Sequence, residues 1–289
     1  MDDRELLRSI AGIVGREKVL DDCASYPLGS RMIVASTDML HENTDFPKGM
    51  TDRQIGWMSA AVTISDIASS GAAPLFILVA VGLDRPERLE GIMKGASECC
   101  EFYGTEIRGG DIDSHNELTV VTTGFGIADV DCYITRNGCS PGDFVYILGH
   151  PGEAQAALEG DNRYWMSLVE PHPFVSEALL IAKAGASAMM DVSDGLALSL
   201  YDLADASGMG FEIFSEGISL SPGVTLEQAL YGGGDFGLLF TCDPGMMPIP
   251  EVEGVCIGRV IDSPGVFFDS EVVERRGYLH RWEHAEDEV

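Results

Sequence analysis

Lysine is scarce in this chain: only Lys18, Lys48, Lys94 and Lys183 occur, and the remaining fourteen of its 18 basic side chains are arginine. Against 47 acidic residues this leaves a formal charge of −29. So acidic a chain repels phosphodiester backbones and anionic lipid, which excludes non-specific nucleic-acid binding and attachment to a membrane surface. Long apolar runs are missing too. The longest, Pro74 to Leu83, is about half a bilayer span. Met-Asp-Asp-Arg-Glu at the start has neither the basic nor the apolar segment of a secretory signal, so a cytoplasmic protein is expected. Cysteine supplies no framework. There are 7, an odd number, with Cys99 and Cys100 adjacent and no C-x-x-C pair, which argues for reduced thiols and against a disulfide scaffold or a zinc site.

The common nucleotide and hydrolase signatures are absent as well. No G-x-x-x-x-G-K-[ST] occurs, no Ser sits in G-x-S-x-G, and the six His form no zinc pattern. Gly232 to Gly237 matches G-x-G-x-x-G in letters. It runs into the apolar stretch Phe236 to Thr241 instead of leaving a strand and opening a helix, so it is not a dinucleotide fingerprint.

What is present is enough for a large core: 45% hydrophobic residues in 289, with 34 Gly and 13 Pro spread along the chain. Leu6, Leu7, Ile10, Ile13 and Val14 predict an N-terminal helix capped by Asp2 or Asp3. A strand follows at Arg31 to Thr37, a Thr51-capped helix ends at Gly71, and Pro74 to Gly82 is a buried strand. A helix runs from Pro86 to about Tyr103, and strands at Glu106 to Arg108 and Leu118 to Ile127 complete an α+β half. The turn signals Asn137-Gly138 and Pro141-Gly142-Asp143 place a boundary near 138, giving domains 1–138 and 139–289. The second is an α/β half, with strands Phe144 to Leu148 and Ala188 to Val192, helices near 151–160, 174–185 and 195–207, and strands near 211, 238, 256 and 267.

One local arrangement recurs: an apolar strand that stops at Asp beside Ser, Thr or Gly. It occurs at Ser36-Thr37-Asp38, Gly109-Gly110-Asp111, Asp191-Val192-Ser193-Asp194 and Gly233-Gly234-Asp235, with Asp21-Asp22 and Ser65-Asp66 as looser members. Taken singly each Asp reads as a cap or turn residue. Taken together they are hard oxygen donors of the kind that select Mg²⁺, and converging carboxylates repel one another unless cations lie between them. Gly109 and Gly110 allow close backbone approach to a phosphate, or simply make a turn. Arg136, after Tyr133-Ile134 and before a turn, suits either a phosphate clamp or a surface ion pair.

The order of these motifs resembles the thiamine-monophosphate kinase family. The likeness runs from Leu20-Asp21-Asp22-Cys23-Ala24 through Ser36-Thr37-Asp38-Met39-Leu40, Ile64-Ser65-Asp66-Ile67-Ala68, Gly109-Gly110-Asp111, Thr135-Arg136-Asn137-Gly138 and Asp191-Val192-Ser193-Asp194-Gly195-Leu196. It ends with Gly233-Gly234-Asp235-Phe236 and Ile257-Gly258-Arg259, so it covers nearly the whole chain. The resemblance implies a two-domain aminoimidazole-ribonucleotide-synthetase-like fold and a homodimer built on the N-terminal halves. It also implies direct in-line transfer of a phosphoryl group from ATP to thiamine monophosphate. By matching motif, Asp22, Ser36, Thr37, Asp38, Asp66, Asp111, Asp191 and Asp194 would hold several Mg²⁺ ions. Gly110, Asp111, Arg136 and Ser193 would meet the nucleotide, with Tyr103 on the adenine side, and Asp111, Arg136 and Asp191 would carry the transfer. The acceptor side departs from the family pattern. Asp45 stands where a His is expected and Gly234 where Gly-Gly-Glu-Asp would have Glu. Arg275 stands at the C-terminal aromatic position, with Trp282 seven residues on. An archaeal-type variant using Asp45, Gly234 and Trp282 is the favoured reading. The alternatives are a related kinase with another phosphorylated acceptor and a non-catalytic nucleotide-binding paralogue.

Overall fold

The computed structural model describes residues 2–280. Helix α1 (Asp3–Val14) begins at a reciprocal cap in which Asp2 accepts from the Glu5 backbone N–H and the Glu5 side chain accepts from Asp2. The first sheet comprises β1 (Ala24–Leu28), β2 (Arg31–His41), β3 (Ala73–Leu83), β4 (Ile107–Ser114) and β5 (Thr119–Asp129), in the order β1-β2-β5-β3-β4. Only β3 and β4 run parallel. They are joined through a short 3-10 turn at Pro86–Arg88 and helix α3 (Leu89–Phe102), the crossover that parallel pairing requires. Helix α2 (Asp52–Ser69) starts at Thr51, whose hydroxyl and Gln54 cap each other's backbone N–H groups.

On β5 the side chains alternate, with Val120, Thr122 and Ala128 buried toward the helices and Gly124 and Gly126 between them in the same row. Their lack of a side chain sets how near α2 lies. A Cβ on Gly124 would fall 2.5 Å from Ile67 Cδ1 and 2.6 Å from Thr63 Cγ2, and one on Gly126 would fall 2.4 Å from Ile67 Cγ2. Helix and sheet therefore meet at van der Waals distance, and the polar side chains of α2 reach the inner face of β2.

The second sheet takes its strands from residues 144–272: β6 (Phe144–Leu148), β7 (Ala188–Val192), β8 (Gly210–Ile213), β9 (Gly237–Cys242), β10 (Val255–Ile261), β11 (Gly265–Phe268) and β12 (Glu271–Val272). Their order is β12-β11-β8-β10-β6-β9-β7. Helices α4 (Glu153–Leu158), α5 (Trp165–Val169), α6 (Val175–Ala184), α7 (Leu196–Ser207) and α8 (Leu226–Tyr231) lie between them. One apolar cluster runs from Ile64, Ile77 and Ile92 through Tyr146 and Met189 to Phe240, so the two sheets share a core. All seven cysteines are free thiols.

Three expected strand ends are corrected. β2 continues past Asp38 to His41, and β4 runs to Ser114 with Gly109, Gly110 and Asp111 inside it. Gly110 holds the strand close to its neighbour, since a Cβ there would sit 1.7 Å from the Val79 carbonyl oxygen. β7 does end at Val192, just before Ser193 and Asp194, whereas Gly233-Gly234-Asp235 ends no strand, because it follows helix α8 and leads into β9. Strand β1 was not anticipated. It is an edge strand with every residue exposed and Pro27 within it, so no alternation of burial marks it in sequence.

Candidate active site

Asp22 precedes β1, Asp38 lies on β2, Asp66 on α2 and Asp191 on β7, the outermost strand of the second sheet. Oxygens of Asp22, Asp66 and Asp191 all fall within 4.8 Å of one another. Each of the four carboxylates accepts a hydroxyl hydrogen bond. Ser69 donates to Asp22 at 3.0 Å, Thr63 to Asp38 at 2.5 Å, Ser36 to Asp66 at 2.5 Å and Ser65 to Asp191 at 2.7 Å. The two-residue period of β2 puts Ser36 and Asp38 on its helix-facing side and Thr37 and Met39 on the outer side.

Packing acids this closely shows in their titration. Burial, with repulsion from Asp38, Asp191 and Asp22, holds Asp66 well above the usual carboxylate range. Burial, then Asp22, pushes Asp191 up to about 8. Asp38 is pushed up to about 6 by burial, with Thr63 pulling the other way. Asp21 is likewise raised to about 6 by burial and Asp22. Arg136 stands beside them. Against the burial that would lower its pKa, Asp22 and Asp202 hold its guanidinium protonated. It pairs with Asp22, lies 3.8 Å from Asp202, and its buried Nε has no hydrogen-bond partner. Arg4, which sequence reasoning missed, comes from α1 to bind Asp202 at 2.6 Å and Asp194 at 3.1 Å. No local motif marks it, because its partners are about two hundred residues away.

A cleft of about 690 Å³ opens from Asp38. The loop after β2 forms one wall, with Asp45, Phe46 and Lys48. Ser193, Asp194, Gly233, Gly234, Phe236 and Tyr278 form the other. The Gly234 N–H donates to the Ser193 carbonyl at 2.7 Å, which ties the 232–236 turn to the Asp194 loop. Asp45 lines the cleft while its Oδ2 accepts from the His41 backbone N–H at 2.9 Å and the Thr44 hydroxyl at 2.7 Å. Its carboxylate thus shapes the loop that carries it.

The remaining sequence candidates lie elsewhere within one chain. Asp111 is exposed on edge strand β4, in register with Ala80, Val121 and Met39. Asp38 shares its row with Thr122, Val79 and Gly110, so Asp111 and Thr37 face outward, opposite to the cluster. Tyr103 ends α3 and stands 3.4 Å from His172 Nδ1, next to Phe102. Arg275 is bound to Asp205 at 2.5 Å and stacks 5.1 Å from the Tyr201 ring centre, outside the cleft. The aromatic residue of the C-terminal segment that does line it is Tyr278, three positions on. Trp282 lies outside the described residues.

The donor set fits a hard divalent cation. It consists of carboxylates, Asp191 buried and Asp22, Asp38 and Asp66 partly so, with no thiolate and no imidazole among them.

Comparison with known proteins identifies the family. Residues 20–128 match the family model described as AIR synthase related protein, N-terminal domain. The thiamine-monophosphate kinase of Methanospirillum hungatei JF-1 is 50% identical over 286 residues, covering 98% of this chain and 100% of that protein. That of Archaeoglobus fulgidus is 38% identical over 299 residues, covering 97% and 98%. Among solved structures, AaThiL complexed with AMPPCP and TMP superposes with a TM-score of 0.90 at 28% identity, covering 97% of each chain. The HypE-HypF complex contains a chain at TM-score 0.74 and 22% identity, which shows a shared fold. With identity of 50% and 38% over the full length of these relatives, the chain belongs to the thiamine-monophosphate kinase family.

Proposed function

We propose that this protein transfers the γ-phosphoryl group of ATP to the phosphate of thiamine monophosphate, giving thiamine diphosphate. The observation that carries this reading is the convergence of Asp22, Asp66 and Asp191, with Asp38 beside Asp66 and lining a cleft that also holds Phe46, Phe236 and Tyr278. Asp22, Asp66 and Asp191, with Asp38 beside them, would hold Mg²⁺. When bound, Mg²⁺ supplies neutralisation of the charge on the transferring phosphoryl group. Arg136, with its unmade Nε bond, is oriented by Asp22 and Asp202 to receive a phosphate oxygen of the nucleotide. Ser193 and Asp194 line the path between nucleotide and acceptor. Phe46 and Phe236 exclude water from the acceptor, and the Tyr278 ring offers its thiazolium a face. The attacking oxygen belongs to an ionised phosphate, so none of these residues has to remove a proton from it. Positioning and charge neutralisation suffice.

The outward position of Thr37 and Asp111 supports a homodimer packed through that face of the first sheet, where Tyr26, Leu28 and Met39 are 70%, 60% and 65% exposed. In this reading Thr37, Gly110 and Asp111 act at the subunit boundary, the chain divides into domains at residue 138, and the reaction is cytoplasmic. Among the described residues no helix is long and apolar enough to cross a membrane.

Supplying γ-labelled ATP, Mg²⁺ and a panel of phosphorylated vitamins tests the activity. Label in thiamine diphosphate is the expected result. Turnover of another acceptor in its place, or nucleotide binding with no turnover, contradicts it.

A further inference from the structure

Of the four hydroxyls that reach the cluster, Ser36 alone belongs to β2. Thr63, Ser65 and Ser69 all come from α2, the helix that also carries Asp66. Ser65 stands apart from the others. It is 3% exposed, and its acceptor, Asp191 Oδ2 at 2.7 Å, lies 126 residues away on the second sheet. It thus ties a helix of the first half to a ligand candidate of the second. A carboxylate turns easily about its terminal torsion, and four of them at close quarters gain by turning apart. One donor on one oxygen fixes the plane. The chemistry of the donor matters as well: a hydroxyl is neutral, so it orients an acid without taking the place of a cation, which Lys or Arg would do.

Resting on the reading of the cluster as a metal centre, we propose that Ser65 is a positioning residue for phosphoryl transfer. It holds the Asp191 carboxylate in the plane that brings its oxygen within reach of Asp22 and Asp66. Ser69 does the same for Asp22 and Thr63 for Asp38. The α2 hydroxyls together set the affinity of the cluster for a divalent cation. Outer partners of this kind commonly change metal affinity by about 10–100-fold when removed.

The test uses full-length protein without nucleotide and Mn²⁺ as the probe, with free Mn²⁺ read by electron paramagnetic resonance. Ser65→Ala is expected to raise the Mn²⁺ Kd about tenfold or more, while its melting temperature in chelator stays close to that of the unmodified protein. Ser59→Ala serves as control. Ser59 is 1% exposed in the same helix and donates only to the Ile55 carbonyl at 2.8 Å, so its loss should leave the Kd unchanged. Ser69→Ala carries the test if Ser65→Ala does not fold, and weaker Mn²⁺ binding is expected there too. Unmodified protein that binds Mn²⁺, with Ser65→Ala and Ser69→Ala binding equally well, overturns this inference alone. Unmodified protein that binds no Mn²⁺ overturns the metal-centre reading beneath it. A weakening in Ser59→Ala equal to that in Ser65→Ala would assign the effect to helix packing and refute the positioning role.

Discussion

Replacing Asp66 by Asn should stabilise the protein at alkaline pH while disabling it. Asp38 titrates near 6 and Asp191 near 8 instead of at 3.8, so the folded form holds protons that the unfolded chain has released. The stability that goes with those protons is complete below about pH 4 and is lost as pH rises through 6 and then 8. For Asp38, a rise of about two pKa units corresponds to roughly 3 kcal/mol. For a chain of this size that is on the order of 6–12 °C in Tm. Thermal unfolding in chelator should therefore show Tm falling between pH 5 and pH 8. Added Mg²⁺ should restore little at pH 5 and much at pH 8, about 2.7 kcal/mol when the ion is at a hundred times its Kd. The amide that replaces the carboxylate keeps an acceptor for the Ser36 hydroxyl but removes one charge from the centre, so in chelator at pH 8 the variant should melt above the unmodified protein and respond weakly to Mg²⁺. Fixing ionic strength with a monovalent salt separates this local effect from repulsion across the whole acidic surface. A Tm that is flat or rising from pH 5 to 8 in chelator, or Asp66→Asn melting below the unmodified protein at pH 8, would refute the reasoning.

Tyr278→Ala should raise KM for thiamine monophosphate several-fold with KM for ATP unchanged. Arg275→Ala, outside the cleft, should change neither; steady-state kinetics with each substrate varied in turn decides between them. Gly110→Ala would set a Cβ 1.7 Å from the Val79 carbonyl oxygen, forcing β4 away from β3. A loss of roughly 2–3 kcal/mol in a denaturant titration, together with loss of activity, is expected. With γ-labelled ATP and no acceptor, label should never reside on the protein, because in direct in-line transfer the phosphate of the acceptor is itself the nucleophile. A labelled protein band that chases into product would count against direct transfer.

Elements with strong local signals could be read from the chain by themselves. Thr51 with Gln54 marks the start of α2, and the apolar runs at Phe144–Leu148 and Ala188–Val192 are strands with those limits. The acidic motifs point to the cluster because Asp22, Asp38, Asp66 and Asp191 each lie in one of the recurring Asp motifs whose order matches the family. What sequence did not reveal depends on sheet register and distant contact. That Asp111 faces away from Asp38 follows only from pairing across four strands. Arg4 reaches Asp202 through tertiary packing alone. The family resemblance puts the C-terminal aromatic position at Arg275, with Trp282 seven residues on, whereas the ring that lines the cleft belongs to Tyr278. Thr63, Ser65 and Ser69 look like ordinary helix hydroxyls until the acids they meet are in place.

The claim on which everything else depends is that the converged carboxylates perform the transfer. Pre-steady-state transfer of label from ATP to thiamine monophosphate by Asp66→Asn, at saturating Mg²⁺ and both substrates, tests it most directly. The rate should fall by about two orders of magnitude or more, equivalent to roughly 3 kcal/mol of transition-state stabilisation, with the protein folded and ATP still bound. Transfer by the variant at the rate of the unmodified protein would contradict the account.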